Sequence, residues 1–315
     1  MAERTASVTE PPTTGAGPVL VRWTAPDALS NLVAVLELAA DGRMRCNATS
    51  RQPSAATVKL IEDALVAGDF YDAGQQPIAA FAWPLLIQVG GLARLAGLRL
   101  ELSPRGRATL ASPSYEALAA LWARWLAGVS TDEMARIEAV KGQRKPGTLT
   151  SAVTRRAAVA AALAGLEPGA WTGVGKLLGI LRAQRPPLVA TRSLRALWRL
   201  YVLDSYHGSL GHAGPRAWDL VEGRYALCVL FEYAATVGLI DVAYADPRGA
   251  RHDYRALWGA DQYAYLSRYD GLVAVRVNQL GAAILHDPGA LPGIRLPVPR
   301  RPPWRGHPRP SGPLG

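Results

Sequence analysis

Arginine and lysine side chains form the pattern with the clearest chemical meaning in this sequence. Arg192, Arg195 and Arg199 recur at spacings of three and four residues, which places them on one face of a helix predicted over 193–204. Other cations are predicted in turns, in a linker and at helix starts, namely Arg105, Arg107, Lys141, Arg144, Lys145, Arg155, Arg156, Arg248 and Arg251. Side chains at such positions contact DNA phosphates and orient the duplex without reading its sequence. An ordinary solvated surface is the alternative interpretation.

Histidine, serine and carboxylate side chains do not form the pattern of a catalytic or metal site. His207 and His212 flank a glycine-rich loop but lack the HExxH spacing or the cysteine partner of common zinc sites. Ser209 lies in that loop, and no predicted strand leads into it as in a nucleophile elbow. Glu232 occupies an apolar helix, where it is either a buried functional acid or a solvated or paired carboxylate. We therefore expect no enzyme and no cofactor, and an unrecognised active site is the remaining alternative.

Two further segments have an ambiguous chemical meaning. WTGVGKLLG (171–179) contains glycines and a lysine, but its glycines are too close together for the GxxxxGK[ST] loop that wraps phosphates. We predict the start of a helix there instead. The loop before LVAVRV (272–277) is rich in aromatic residues, which are Tyr254, Trp258, Tyr263, Tyr265 and Tyr269. Their rings either stack on bases of a single-stranded nucleic acid or fill the core.

The charge balance permits a polyanionic partner without requiring one. The 315 residues include 35 basic and 25 acidic side chains, for a formal net charge of +10. The stretch from Pro299 to Gly315 contains no acidic residue and supplies four of those charges, from Arg300, Arg301, Arg305 and Arg309. About +6 therefore belongs to the rest of the chain, which is compatible with nucleic-acid binding.

Cysteine content and hydropathy favour a cytoplasmic protein. The two cysteines, Cys46 and Cys228, are far apart in sequence and form no disulfide framework or zinc pattern. The N-terminal residues lack the apolar stretch of a signal peptide. No uninterrupted apolar run reaches the roughly 18–20 residues that a membrane-spanning helix needs. We expect no membrane partner.

Helical periodicity predicts two folded blocks between two disordered ends. Composition predicts a disordered leader at 1–17 and a Pro- and Arg-rich disordered tail at 288–315. Between them, a basic linker at 138–151 contains Gly142, Pro146 and Gly147, which favour a domain boundary. The N-terminal block then covers 18–137 and the C-terminal block covers 152–287.

Each block is predicted to follow its helices with a short hairpin. In the N-terminal block, helices at 27–42, from Ser54 to Gly68 and at 78–96 precede a strand at 98–102, with SPRG (103–106) as the wing turn. In the C-terminal block, helices at 154–166, 170–184, 193–204 and 217–239 precede strands from Ile240 and at 272–277. The loop 246–271 between them would be an enlarged wing. This order predicts a mainly α protein with short β-hairpins, built from tandem winged-helix units, that is, helix-turn-helix motifs with a wing.

Several segments resemble one protein family. GLRLELSPRGRATL and GLVAVRVNQLGAAIL are similar to the wing ends of winged-helix domains in bacterial helicase-associated proteins. RQPSAAT, LIEDALVAGDFY, FAWPLLIQVGGLARLAGLRL and GRYALCVLFEYAATVGLIDVAY resemble a largely uncharacterised group from high-GC bacteria, related to the N-terminal region of XPB-type repair helicases. The resemblance covers most of 27–286 and implies a winged-helix fold. The chain departs from helicases because it lacks the phosphate loop of an ATPase motor.

The sequence leaves two main functional hypotheses. The favoured one is a non-enzymatic, DNA-binding or helicase-associated adaptor that uses tandem winged-helix domains. The alternative is a protein–protein interaction scaffold that docks a separately encoded helicase or nuclease without contacting DNA.

Overall fold

A computed structural model describes residues 18–71 and 77–296, and these contain ten α-helices and eight short strands. The helices are α1 (Ala25–Ala40), α2 (Ala55–Glu62), α3 (Ala79–Val89), α4 (Pro104–Ala111), α5 (Tyr115–Ala127), α6 (Ala152–Ala164), α7 (Val174–Ala183), α8 (Leu194–Leu197), α9 (Arg224–Cys228) and α10 (Gln279–His286). The strands are β1 (Leu20–Arg22), β2 (Ala93–Ala96), β3 (Arg99–Leu102), β4 (Val140–Lys141), β5 (Trp171–Gly173), β6 (Tyr201–Val202), β7 (Ile240–Tyr244) and β8 (Leu272–Val277). The prediction of a mainly helical protein with short antiparallel strands is confirmed.

The strands form three antiparallel sheets. The largest has the order β1-β7-β8-β5, so its edge strand β1 comes from the N-terminal end of the described chain. Strands β2 and β3 form a tight hairpin, and β4 pairs with β6. No helix in the described ranges combines the length and the apolar character needed to cross a membrane.

The N-terminal half packs three helices against the β2–β3 hairpin. Helix α1 begins after Thr24 with Asp27 in its first turn, and it buries Leu32 and Leu36 against the core. The segment after α1 is extended and pairs with β3, since the Leu100 amide donates to the Met44 carbonyl at 3.0 Å. Helix α2 is capped by Ser54, whose hydroxyl accepts the amide of Thr57.

Two predicted features of this half are wrong in detail. The third predicted helix, 78–96, ends at Val89 because the chain turns at Gly90 and Gly91 and continues as strand β2. The hairpin turn lies at Gly97 and Leu98 rather than at SPRG. SPRG instead starts α4: the Ser103 hydroxyl accepts the Gly106 amide, which is an N-cap interaction.

A buried helical segment forms the centre of the C-terminal half. π-Helical turns at Asp219–Gly223 and Val229–Ala234 flank α9, and we call the continuous segment 219–234 the central helix. Most of its residues are apolar, and every residue from Leu220 to Ala245 is buried, including the charged side chains of Glu222, Arg224 and Glu232. Strands β7 and β8 follow, joined by the long connection 245–271.

Buried ion pairs connect the two predicted blocks through the turn Glu133–Arg136. Arg136 donates from Nε and Nη2 to the Glu232 carboxylate at 2.8–2.9 Å, and the Tyr269 hydroxyl donates to the same carboxylate. Glu133 accepts Arg156 Nη2 at 2.5 Å and the Tyr225 hydroxyl at 3.1 Å. Burial raises the pKa of Glu133, whereas the Arg156 charge acts in the opposite direction. Glu232 is therefore a buried carboxylate paired with Arg136, which is the paired alternative of the sequence analysis.

The core is continuous across the predicted domain boundary. One cluster of buried apolar residues extends from α1 to Ile294, and it includes Ala139 and Val140 of the predicted linker. The predicted tail begins too early, because residues 288–293 form a short 3-10 helix that buries Leu291. The leader 1–17, residues 72–76 and the stretch from 297 onward lie outside the described residues.

Removal of one partner from the buried pair should destabilise the protein far more than removal of both. We expect Arg136→Ala to lower the free energy of unfolding by about 3–5 kcal/mol, because the Glu232 carboxylate would stay buried without its cation. The double variant Arg136→Met/Glu232→Gln should recover most of that loss. Urea denaturation followed by circular dichroism measures both values. Arg248→Ala, which breaks the exposed pair with Asp246, is the control and should change the free energy by less than about 1 kcal/mol. Equal losses in the single and double variants would contradict this account.

Candidate nucleic-acid interface

Two basic segments that are 40–60 residues apart in sequence lie side by side in the structure. Strand β4 pairs with β6, so that Lys141 lies opposite Tyr201. Further along, Leu149 forms an antiparallel bridge with Thr191, and the Arg192 amide donates to the Thr148 carbonyl at 3.1 Å. The predicted linker and the segment 189–202 therefore make one layer.

The predicted helix over 193–204 is mostly absent. Only Leu194–Leu197 is helical, because the chain must extend again to pair with β4 at Tyr201. Arg195 lies in this single turn, whereas Arg192 and Arg199 lie outside it. The three arginines are therefore not aligned by a long helix, and what places them in one region is the strand pairing on either side.

Backbone contacts hold the loop 142–147 against this segment. Gly142 has φ +85°, and a Cβ at this position would lie 1.9 Å from the Arg199 carbonyl oxygen, so a side chain there would displace the loop. Arg199 Nη1 donates to the Pro146 carbonyl at 3.0 Å, and Arg192 Nε donates to the Leu149 carbonyl at 2.8 Å. The side-chain Nε2 of Gln143 donates to the carbonyls of Ile137 and Val140. The loop is thus a fixed structure.

Six exposed cations share this layer, and we call them the basic surface: Lys141, Arg144, Lys145, Arg192, Arg195 and Arg199. Within the described part of the chain, none of the six has a carboxylate within ion-pair distance. The nearby Glu138 is paired with Arg268 at 2.7 Å instead. A cleft of about 610 Å³ opens among Lys141, Arg144, Lys145 and Tyr201. The layer therefore presents unneutralised positive charge around a concave surface.

A hairpin over 201–209 extends from the same layer. The Val202 amide donates to the Gly208 carbonyl at 3.0 Å, and the Asp204 side chain closes the tip. Its Oδ1 accepts the amides of Tyr206 and His207 at 2.9 and 2.8 Å. Those backbone amides lower the pKa of Asp204 because they stabilise the charged carboxylate. The tip is a compact turn that directs its aromatic side chains outward.

Three exposed rings lie at this tip, with His207 in contact with the other two, and we call them the aromatic ridge: Tyr206, His207 and Trp258. The centroid of the His207 ring lies 4.9 Å from that of Tyr206 and 5.1 Å from that of Trp258. Tyr206 is 79% exposed and Trp258 is 53% exposed. Trp198, which is half exposed, lies beside Arg199 and packs edge-on against His212 at 4.7 Å. Large apolar rings on a cationic surface are typical of binding sites.

Two predicted phosphate contacts are wrong, because Arg155 and Arg156 are buried. Arg156 donates to the carbonyls of Trp125, Gly128 and Thr131 as well as to Glu133. Arg155 Nη2 lies 2.6 Å from Asp132 Oδ1. Their position at the start of α6 suggested exposure, but these guanidinium groups hold the interior together and cannot reach a ligand.

The remaining predicted cations lie elsewhere on the molecule. Arg105 and Arg107 are exposed in the first turn of α4, not in a wing turn. Arg248 lies in the predicted second wing and pairs with Asp246 at 2.6 Å. Arg251 donates to the Leu272 carbonyl, and burial together with the Arg224 charge lowers its pKa. Of this group only Arg105 and Arg107 are exposed cations without a carboxylate partner among the described residues, because Arg251, which also forms no ion pair there, is half-buried.

The predicted aromatic residues divide between core and surface. Tyr254 and Tyr269 are buried in the core, and Tyr263 and Tyr265 are half-buried. Trp258 alone of the five is exposed. Sequence analysis missed Tyr206 and Trp198, although Asp204 before a glycine-containing segment is typical of a turn that would expose its neighbours.

Catalytic and metal-site chemistry find little support in the same region. The Ser209 hydroxyl donates to the Trp198 carbonyl and so closes the hairpin. In the described ranges no three histidine, cysteine or carboxylate groups converge as metal ligands. The arrangement is suited to binding through charge and stacking.

The Asp204 carboxylate should control the order of the hairpin tip. We expect Asp204→Ala to speed hydrogen exchange at the amides of Tyr206 and His207 by about tenfold, since both lose their acceptor. Asp204→Asn, which retains a side-chain oxygen, should have a smaller effect. In the wild type, the Asp204 carboxylate stabilises the hairpin tip fully above its unfolded pKa near 3.8. This stabilisation disappears as the pH falls through the lower pKa of the folded state. Exchange measured by NMR checks these expectations, and unchanged rates in Asp204→Ala would contradict them.

The chain was compared with protein-family models, curated proteins and solved structures. No family model, curated protein or solved structure matches the chain.

Proposed function

We propose that this protein binds nucleic acid through the basic surface and catalyses no reaction of its own. The observation that carries the proposal is the group of six exposed cations, brought together from two segments and lacking carboxylate partners in the described chain. Unneutralised lysines and arginines bind phosphates because they release the counterions condensed on the nucleic acid. Arg192 and Arg199 already donate to backbone carbonyls, so these two side chains need little ordering on binding.

The order of the elements supports a tandem winged-helix architecture. In the N-terminal half, α1, the extended segment at Met44–Cys46, α2, α3, β2 and β3 follow one another. In the C-terminal half the order is α6, β5, α7, the central helix, β7 and β8, with α8 and β6 inserted between α7 and the central helix. In both, the first strand pairs with the third. Apart from the insertion in the C-terminal half, this order is compatible with the helix, strand, helix, helix, strand, strand order of a winged helix, and it supports the proposal of two such units.

Binding through these units would differ from major-groove recognition. The third helix of a helix-turn-helix motif normally enters the major groove. Here neither α3 nor the central helix has an exposed residue. Phosphates would instead be held by the loop that carries Lys141, Arg144 and Lys145 and by the segment 184–216, which lies between α7 and the central helix. Contacts of that kind position a nucleic acid without specifying its sequence.

We propose a helicase-associated adaptor as the biological role. The chain has no phosphate loop, and strand β5 enters α7 directly at WTGVGK. A motor or nuclease that acts on the bound nucleic acid would be a separate protein, in agreement with the family resemblance of the wing segments.

A protein-docking scaffold is the second candidate, and exposed aliphatic side chains favour it. Leu194 is 79% exposed and Val189 is 44% exposed, both in the segment that carries the basic surface. A partner protein that covers them would bury apolar area next to the cations.

Removal of three charges from the basic surface should weaken binding to nucleic acids of a given length regardless of their sequence. We expect Arg144→Gln/Lys145→Gln/Arg195→Gln to lower affinity for a DNA oligonucleotide by at least about tenfold at low salt. The slope of log K against log salt should become shallower by up to about three units, since each lost phosphate contact removes about one. Fluorescence anisotropy across a salt series measures both.

A control variant with the same net charge separates local contact from overall attraction. Arg124→Gln/Lys176→Gln/Arg295→Gln removes three exposed cations outside the basic surface. It should change affinity by less than about threefold. Equal losses in the two variants would mean that binding is not located at the basic surface. A wild-type protein that binds no DNA at low salt would rule out the proposed function and favour the scaffold.

A further inference from the structure

We infer that the nucleic acid bound here is single-stranded, with unpaired bases stacked on the aromatic ridge. This inference rests on the proposed function, because the basic surface must first hold the phosphates. Its physical basis is the arrangement of Tyr206, His207 and Trp258, whose rings face solvent while the His207 ring contacts the other two.

The exposure of the ridge is maintained by the fold. Asp204 fixes the amides of the two residues that carry rings at the hairpin tip. From the other side, Gly259 follows Trp258 with φ +70°, and a Cβ there would lie 2.4 Å from Leu203 Cδ1. The turn bearing Trp258 is therefore packed against the hairpin. Two separate segments thus hold large apolar rings in water, where they stabilise no core.

The ridge lies within reach of a strand bound at the basic surface. Tyr201 is paired with Lys141 in the β4–β6 ladder, and Tyr206 lies five positions after Tyr201 in the chain. A fully extended chain of that length spans at most about 17 Å. A strand whose phosphates lie on Lys141 and its neighbours would reach the rings with its next few bases.

Stacking on exposed rings requires bases whose faces are accessible. In a duplex the faces are covered by neighbouring base pairs, so the rings could stack only after unpairing. In a single strand every base has a free face, and aromatic stacking tolerates any sequence. The combination of free cations and exposed rings is therefore matched by a single strand better than by a duplex.

Comparison of single-stranded and duplex DNA tests the inference. The full chain is titrated with oligothymidylate and with a random-sequence duplex of equal length, with fluorescence anisotropy as the readout. The wild type should bind the single strand more tightly. Tyr206→Ala/Trp258→Ala should weaken single-strand binding by at least about 5-fold and up to about 150-fold for each base lost. Its duplex affinity should change less than about twofold.

A conservative variant and the charge variant make the outcomes distinguishable. Tyr206→Phe/Trp258→Phe keeps an aromatic ring at each position and should retain most single-strand affinity. A variant that misfolds would not retain that affinity. The inference is overturned if the alanine variant binds the single strand as the wild type does while Arg144→Gln/Lys145→Gln/Arg195→Gln weakens it. In that case the proposed function stands and the ridge serves another partner, such as a protein. Absence of all DNA binding overturns both.

Discussion

Two carboxylates buried beside arginines determine how the halves of this protein are joined. Glu232 on the central helix accepts Arg136, and Glu133 accepts Arg156, so one short turn at 133–136 is fixed from two directions. The transfer of four charges out of water is unfavourable, and such pairs add little net stability over apolar residues of similar volume. Their geometry nevertheless excludes alternatives, because any other register would leave a buried charge without its partner. We therefore regard the pairs as determinants of a unique arrangement.

That arrangement has a direct effect on the surface. With the turn 133–136 fixed, the chain leaves the core at Val140 and immediately pairs with Val202. The loop that follows is then in position to meet Arg199 at Gly142, where no side chain fits. Positive charge from two distant segments is concentrated in one place because interior contacts leave the chain no other path. The same order of helices without this turn would disperse those cations.

The sequence predicted the elements whose pattern is local. Alternation at LRLEL and the short apolar run LVAVRV identified strands, and periodic leucines in α1 identified a helix, because these patterns depend on near neighbours. The sequence-based prediction failed where residues distant in the sequence determine the local structure or the burial of a side chain. The segment 193–204 has helical periodicity, but pairing with β4 outweighs that weak preference after Leu197. Arg155 and Arg156 likewise resemble surface cations, and only the fold shows the carboxylates that they meet. For Trp258, base stacking was one of the two alternatives that the sequence left open. The exposure of Tyr206 depends on a turn for which Asp204 is the one sequence signal.

The hairpin over 201–209 has a consequence for how this protein can diversify. Main-chain bonds and one aspartate define its path, while Tyr206 and His207 project from it without filling any part of the core. Because neither ring fills the packed interior, both can be replaced at little thermodynamic penalty. If the ridge binds the proposed single strand, substitutions at the tip can therefore change its base preference without any change in the core.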